Sequence, residues 1–174
     1  ACSIRILRAC SSWGDCGIGD AGLALAKSIV ELNAGDNAKI TTCAPFACSL
    51  RILRAWGDCG IGDAGLAAAT GIVELGADGN AKITTCAPFA SSLRILRARS
   101  RCGIGDAGLA AATGIVELNA DGNAKITTCA PFACSLRILR AYGDCGIGDA
   151  GLAAATGVVE LYWHHPSDAM PRSR

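Results

Sequence analysis

The chain has 174 residues, 51% of them hydrophobic, with 16 Lys and Arg against 15 Asp and Glu. So balanced a charge gives no electrostatic case for nucleic acid or for an anionic membrane surface, and neither partner is expected. Apolar runs are broken every few residues by Arg, Asp, Glu or Gly, so none reaches the roughly 18 to 20 residues that a membrane helix needs.

From Ala1 onward a unit of 43 residues recurs, with copies opening at Ala1, Ala47, Ala90 and Ala133, and repetition of that period encodes a stacked architecture. The first copy carries three extra residues around Cys10 to Ser12, and the fourth departs after Leu161. Copies two and three differ at five positions: Cys48/Ser91, Trp56/Arg99, Gly57/Ser100, Asp58/Arg101 and Gly76/Asn119. The start at Ala1, already inside a repeat and without Met or an apolar leader, reads as a processed product or a fragment.

Each unit splits in two. Leu50, Leu53, Ala55, Asp58 and Ile61 hold positions 1, 4, 6, 9 and 12 of one half, and Ile72, Leu75, Ala77, Asn80 and Ile83 hold them in the next. This pattern, L-x-x-L-x-A-x-x-[ND]-x-x-I, resembles the leucine-rich repeat family, with eight repeats over residues 1–161 and a non-repeat tail at 162–174. The resemblance implies an α/β fold: a right-handed solenoid with a parallel β-sheet on its concave face and short helices or irregular arms on the convex face. Elementary geometry agrees, because Leu at positions 4 and Ala at 6 suit a short strand buried on one side, and an Asn or Asp at position 9 can bond the turn that follows. Right-handedness is the general chirality of parallel crossovers.

The arm from Cys59 through Gly71 is expected to open a short helix on the outer face, where it looks like the cysteine-containing or ribonuclease-inhibitor-like subclass. The other arm, Thr84-Thr85-Cys86-Ala87-Pro88-Phe89, is expected to be extended or irregular because it is short and Pro interrupts it. Within the first arm, Gly60-Ile61-Gly62-Asp63-Ala64-Gly65 fits the G-x-G-x-x-G of dinucleotide-binding turns. The acid that follows, Glu74, comes too early, the helix is too short for a crossover, and the motif recurs at Gly17, Gly103 and Gly146. The glycines therefore read as tight turns and close coil contacts, and no cofactor is expected.

Eleven cysteines also follow the repeat: Cys16, Cys59, Cys102 and Cys145 in one register, Cys43, Cys86 and Cys129 in a second, Cys2, Cys48 and Cys134 in a third, with Cys10 in the insertion. Equivalent residues two coils apart stand about 9.6 Å from one another, beyond disulfide reach. Pairing of Cys43 with Cys48 or Cys129 with Cys134 is conceivable, but Ser91 removes the middle counterpart. Small buried thiols are the expectation, leaning toward a reducing intracellular compartment.

The strands then present a candidate protein-binding face. With positions 1, 4 and 6 inward, positions 3 and 5 point out and 2 and 7 lie at the margins. Odd strands display Arg51, Ile52, Arg54 and Trp56, then Arg94, Arg97 and Arg99, then Arg137, Arg140 and Tyr142. Even strands display Glu74, Gly76 and Asp78, then Glu117, Asn119 and Asp121, then Glu160. Arg54, Arg97 and Arg140 are expected to pair with Glu74, Glu117 and Glu160, while the Trp/Arg/Tyr column is the expected anchor for a protein partner. Arg101, standing where Asp15, Asp58 and Asp144 stand, is expected to strain its turn or swing outward.

The tail breaks the pattern. Suitable codons for Gly-Asn-Ala-Lys-Ile-Thr, shifted by one base, give Ala169-Met170-Pro171-Arg172-Ser173-Arg174, so it is read as a frameshift product. Its His164-His165 pair lacks acidic or Cys companions at ligand spacing, and no metal or catalytic site is expected. The functional expectation is a non-enzymatic protein-interaction scaffold, and the competing one is a truncated or vestigial array. Neither terminus resembles a polar cap, so self-association through Ile4, Leu7 or Leu161 is also expected.

Overall fold

Eight short parallel strands build one open sheet in the computed structural model, which describes residues 3–10 and 16–163. Cys2, Ser11, Ser12, Asp15 and the tail from His164, with its histidine pair and its frameshift reading, lie outside the described residues. The strands are β1 (Ile6–Arg8), β2 (Glu31–Asn33), β3 (Ile52–Arg54), β4 (Glu74–Gly76), β5 (Ile95–Arg97), β6 (Glu117–Asn119), β7 (Ile138–Ala141) and β8 (Glu160–Trp163). They follow one another in chain order, as the eight-coil period predicts.

Register is set by the leucine at position 4. Leu53 pairs Leu75, which continues to Leu96, Leu118 and Leu139, and every one of these is fully buried. Alternation along β3 puts Leu53 in the core and turns Ile52 and Arg54 away from it, while Leu50 and Ala55 at positions 1 and 6 join the core at 0% exposure. Each such leucine contributes about 1.5 to 3 kcal/mol of burial.

Four one-turn α-helices cross the outer side in the odd coils: α1 (Asp20–Leu23), α2 (Asp63–Leu66), α3 (Asp106–Leu109) and α4 (Asp149–Ala153). The even coils differ from expectation. Their arms contain 3-10 turns at Ala44–Phe46, Ala87–Phe89 and Ala130–Phe132. Proline starts these turns instead of interrupting them, because in the first turn its missing N–H costs nothing and its fixed φ suits the helix. Phe46, Phe89 and Phe132 then drop into the core, each at 1% exposure or less.

Three devices join successive coils. Buried Asn80 donates from Nδ2 to Ala55 O at 2.8 Å and Ile61 O at 3.1 Å, and its Oδ1 accepts from Lys82 N at 2.9 Å. Asn37 and Asn123 repeat this arrangement. Asp63 at the start of α2 accepts from the Thr84 amide at 2.8 Å and from the Thr84 hydroxyl, as Asp20 does with Thr41 and Asp106 with Thr127. Finally, Ser92 Oγ donates toward Ile72 O at 2.7 Å, with Ser49 and Ser135 doing the same.

Position 9 is therefore not one role. Asn carries it in even coils, whereas Asp58 in the odd coil is exposed, and its carboxylate makes no hydrogen bond with a described residue. That corrects the reading of Asp58 as an acid that bonds its turn, and of the two outcomes expected for Arg101 its exposure fits the outward swing, with no bonded acid displaced. The strain sits one residue earlier. Among the described residues position 8 is left-handed in each of six coils, occupied by Gly57 (φ 64°), Gly79 (70°), Gly122 (65°) and Gly143 (63°), but by Asp36 (54°) and Ser100 (57°) where glycine is absent. A serine there costs about 1 kcal/mol against glycine. Ser100→Gly is expected to stabilise the chain by about that amount, read from the urea midpoint at unchanged slope; no shift would remove the strain argument.

The thiols follow the core. Cys43, Cys59, Cys86, Cys102 and Cys129 are buried thiols outside any disulfide, whereas Cys48 and Cys134 are exposed, so the two bridges conceived from sequence are not formed. Burial pushes Cys43, Cys86 and Cys129 up to about 12 and Cys102 to about 11 from an ordinary 9.0. Because the folded state holds these protons more tightly, their stabilising effect is complete below pH 9. It is lost as pH rises toward 11 to 12, at about 1 kcal/mol per thiol between pH 9 and 10. A thiol reagent at pH 8 is expected to label Cys48 and Cys134 within the native state and the five buried thiols only on unfolding, with thermal stability falling above pH 9. Rapid native labelling of Cys86 would contradict this.

Candidate functional site: the open face of the sheet

The face turned away from the core consists of three rows. Position 3 alternates aliphatic and acidic residues: Ile52, Glu74, Ile95, Glu117, Ile138 and Glu160 are register partners in turn. Position 5 runs Arg54, Gly76, Arg97, Asn119, Arg140 and Tyr162. Strand periodicity forces both rows outward, since any residue flanking a buried Leu at position 4 must face the other way.

Ion pairs run backward along the array more than forward. Arg54 bridges Glu31 on β2 and Glu74 on β4, reaching the latter at 3.5 Å, and Arg97 returns to the same Glu74 oxygen at 3.3 Å. The expected Arg97–Glu117 and Arg140–Glu160 pairs are not formed. Glu117 has no ion pair with a described residue, and Arg140 instead stacks over the Tyr162 ring at 4.5 Å, because β8 carries an aromatic where β6 carries Asn119. Tyr162 in turn donates to Glu160 Oε2 at 3.3 Å. With side chains 16 to 41% exposed, the pairs of Glu74 contribute ~0 to 1 kcal/mol each and set surface character more than stability.

Position 7 supplies the margin. Trp56 lies flat against Gly35, where a Cβ would collide with the indole. Arg99 pairs with Asp78 at 2.9 Å, which pushes its pKa further up, and the Arg99 amide also donates to Asp78 Oδ1. Asp121 receives the Tyr142 amide in the same way at 2.8 Å. Position 2 faces elsewhere: Arg51 Nη1 donates to Leu50 O at 2.8 Å and Cys48 O at 3.1 Å, and Arg94 and Arg137 repeat the bend. These three arginines are exposed but held at the margin by main-chain carbonyls, so they join the outward rows least of the predicted residues.

One feature of the face went unread in the sequence. Between Arg54 and Arg97, Gly76 leaves an open cavity of about 520 Å³ bordered by Trp56, Asp78 and Arg99. The signal was present, since Gly76/Asn119 is one of the five differences between copies two and three.

The Gly-rich arm, by contrast, is filled. A Cβ on Gly60 would meet Ala38 O at 2.4 Å and Ile40 O at 2.6 Å, and one on Gly65 would meet Thr41 O at 2.0 Å. The Gly60 amide already donates to Asn37 O at 3.0 Å. These glycines let the main chain of one coil lie against the next, the close-contact half of the expectation, and none of Gly60, Gly62 and Gly65 has a left-handed φ. Among the described residues no three His, Cys, Asp or Glu side chains gather as a metal site, and no helix is long and apolar enough to cross a membrane.

Fold and face together define a parallel-sheet repeat solenoid of the α/β type. Compared with family models and with curated proteins, the sequence matches none, so its class rests on the geometry above.

Proposed function

We propose that the chain is a non-enzymatic protein-interaction scaffold of leucine-rich-repeat type that binds its partner through the open, concave face of the sheet. The 21- to 22-residue coil with Leu or Ile at position 1, Leu at position 4 and, in the even coils, Asn at position 9 supports the family reading. The observation that carries the function is the column of Trp56, Arg99 and Tyr142 beside outward-facing Arg54, Arg97 and Arg140: large, donor-rich side chains that the core does not use. Such side chains anchor interfaces most often.

Affinity capture with the full chain, followed by titration, is expected to return one saturable protein partner. Trp56→Ala combined with Tyr142→Ala is expected to weaken that capture at least about 30-fold, the size of a hot-spot loss. Unchanged capture would remove the column as the site. Self-association belongs to the same proposal, since Ile4 and Leu161 are 41% and 45% exposed and Leu7 is half-buried. Concentration-dependent mass in size exclusion would reveal it.

A second reading, a truncated or vestigial array, draws on Ser100, a residue in a left-handed position that its sister copies give to glycine. A saturable partner argues against it; a longer parent gene with no partner for this chain argues for it.

A further inference from the structure

We propose that the notch over Gly76 receives the carboxylate side chain of an acidic residue presented by a protein partner, held by Arg97 and Arg99 against the Trp56 wall. This rests on the protein-binding reading of the face and narrows it to one partner chemistry.

The notch exists because one side chain is missing. At position 5 the neighbouring even strands β2 and β6 carry Asn33 and Asn119, but β4 carries Gly76, and a Cβ there would meet nothing closer than Arg54 Cγ at 3.8 Å. The opening is therefore unfilled space and not a close contact between coils, unlike the glycines of the outer arms.

The divergence of the copies converges on it. Copies two and three share all but five positions, yet the cavity lining includes both members of Trp56/Arg99, both members of Gly76/Asn119, and Gly57 of a third pair. A surface kept regular for packing would scatter its differences around the coil. Here they gather on one patch of the outward face.

Donors there exceed acceptors. A guanidinium has five N–H groups. Arg97 uses one of them on a Glu74 oxygen it shares with Arg54, the Arg99 guanidinium pairs with Asp78 alone among the described residues, and the two side chains remain 41% and 49% exposed. Arg97 and Arg99 stand two apart in the chain, and both border the same cavity, so that one carboxylate entering it can accept from both with its two oxygens.

Charge selects a single negative group over a phosphate. Arg54, Arg97 and Arg99 border the cavity against one acid, Asp78, which favours an anion there, while Glu31 and Glu74 pair with Arg54 and Arg97 from outside the lining, so a singly charged carboxylate meets less repulsion than a dianion would. The indole of Trp56 covers the aliphatic stem of the incoming side chain.

Selection of short random peptides displayed on phage against the full chain tests this, with dissociation constants of the winners measured for wild type, G76N and R99Y. Both substitutions install what sister coils carry at those positions, Asn119 and Tyr142, so the fold is retained. The expected result is a shared Asp or Glu in the selected peptides, with at least about tenfold weaker binding when that acid becomes its amide and in each variant. Binding that ignores the acid, or that survives G76N unchanged, overturns the notch. Peptides lost only on Tyr142→Ala would overturn the notch and leave the scaffold standing, and a selection that yields no peptide would overturn both.

Discussion

Asn80→Asp is expected to destabilise the chain by about 3 to 5 kcal/mol at neutral pH, although it changes one atom of a side chain in a turn. The amide is 1% exposed and spends both Nδ2 hydrogens on carbonyls of Ala55 and Ile61, in the preceding coil. A carboxylate there offers an acceptor to two acceptors and buries a charge at a site 1% exposed. The introduced carboxyl will titrate above its ordinary value, so the folded state binds its proton more tightly. The loss is then smallest below about pH 4 and grows as pH rises. Asn80→Ala removes the charge problem but strands Ala55 O, Ile61 O and Lys82 N, for a pH-independent loss of about 2 to 4 kcal/mol. At the matching position of the odd coil, Asp58→Asn is expected to change stability by less than about 0.5 kcal/mol, because that carboxylate bonds no described residue. Urea titrations of the three variants at pH 4 and pH 7 measure all of this. A pH-independent Asn80→Asp, or an Asp58→Asn as costly as it, would show that position 9 works the same way in both coils.

This asymmetry marks where the sequence was legible. Positions 1, 4 and 6 announced the sheet and its register because a two-residue alternation can face only two ways. The outward rows followed from the same rule, so Arg54, Arg97, Arg140 and Glu74 stand on the face read for them. What alternation cannot give is how a long side chain spends its freedom. Arg140 chose the Tyr162 ring, Arg97 went back to Glu74, and Arg51 folded onto Leu50 O. Pro88 misled for another reason: the same residue that breaks a helix interior starts a 3-10 turn, and only knowledge of where the turn begins separates the two. Position 8 was hidden because Ser100 and Asp36 mask a row that is otherwise glycine.

The glycines of the outer arms give the sharpest test of that stacking, because one substitution has opposite expected signs in a shared sequence context. Gly22, Gly65 and Gly108 all lie within Asp-Ala-Gly-Leu, in α1, α2 and α3. In an isolated helical turn Gly→Ala is favourable by up to about 1 kcal/mol. That is the expectation for Gly22→Ala, whose new Cβ would meet nothing nearer among the described residues than Ile18 Cγ2 at 3.8 Å. Gly65→Ala and Gly108→Ala place the same methyl at 2.0 Å from Thr41 O and 2.1 Å from Thr84 O, main-chain atoms of the preceding coil that no rotamer change can move. Relief requires separating two coils whose amides Cys43 N and Cys86 N donate to Gly65 O and Gly108 O. The expected cost is about 3 kcal/mol or more at either site, the upper end of overpacking, and it carries the Asp–Thr contacts of the same arm with it. Thermal melts of the three single variants decide the matter: equal shifts would mean that the glycines serve the local turn, while a gain at Gly22 beside losses at Gly65 and Gly108 shows that they hold the spacing between coils.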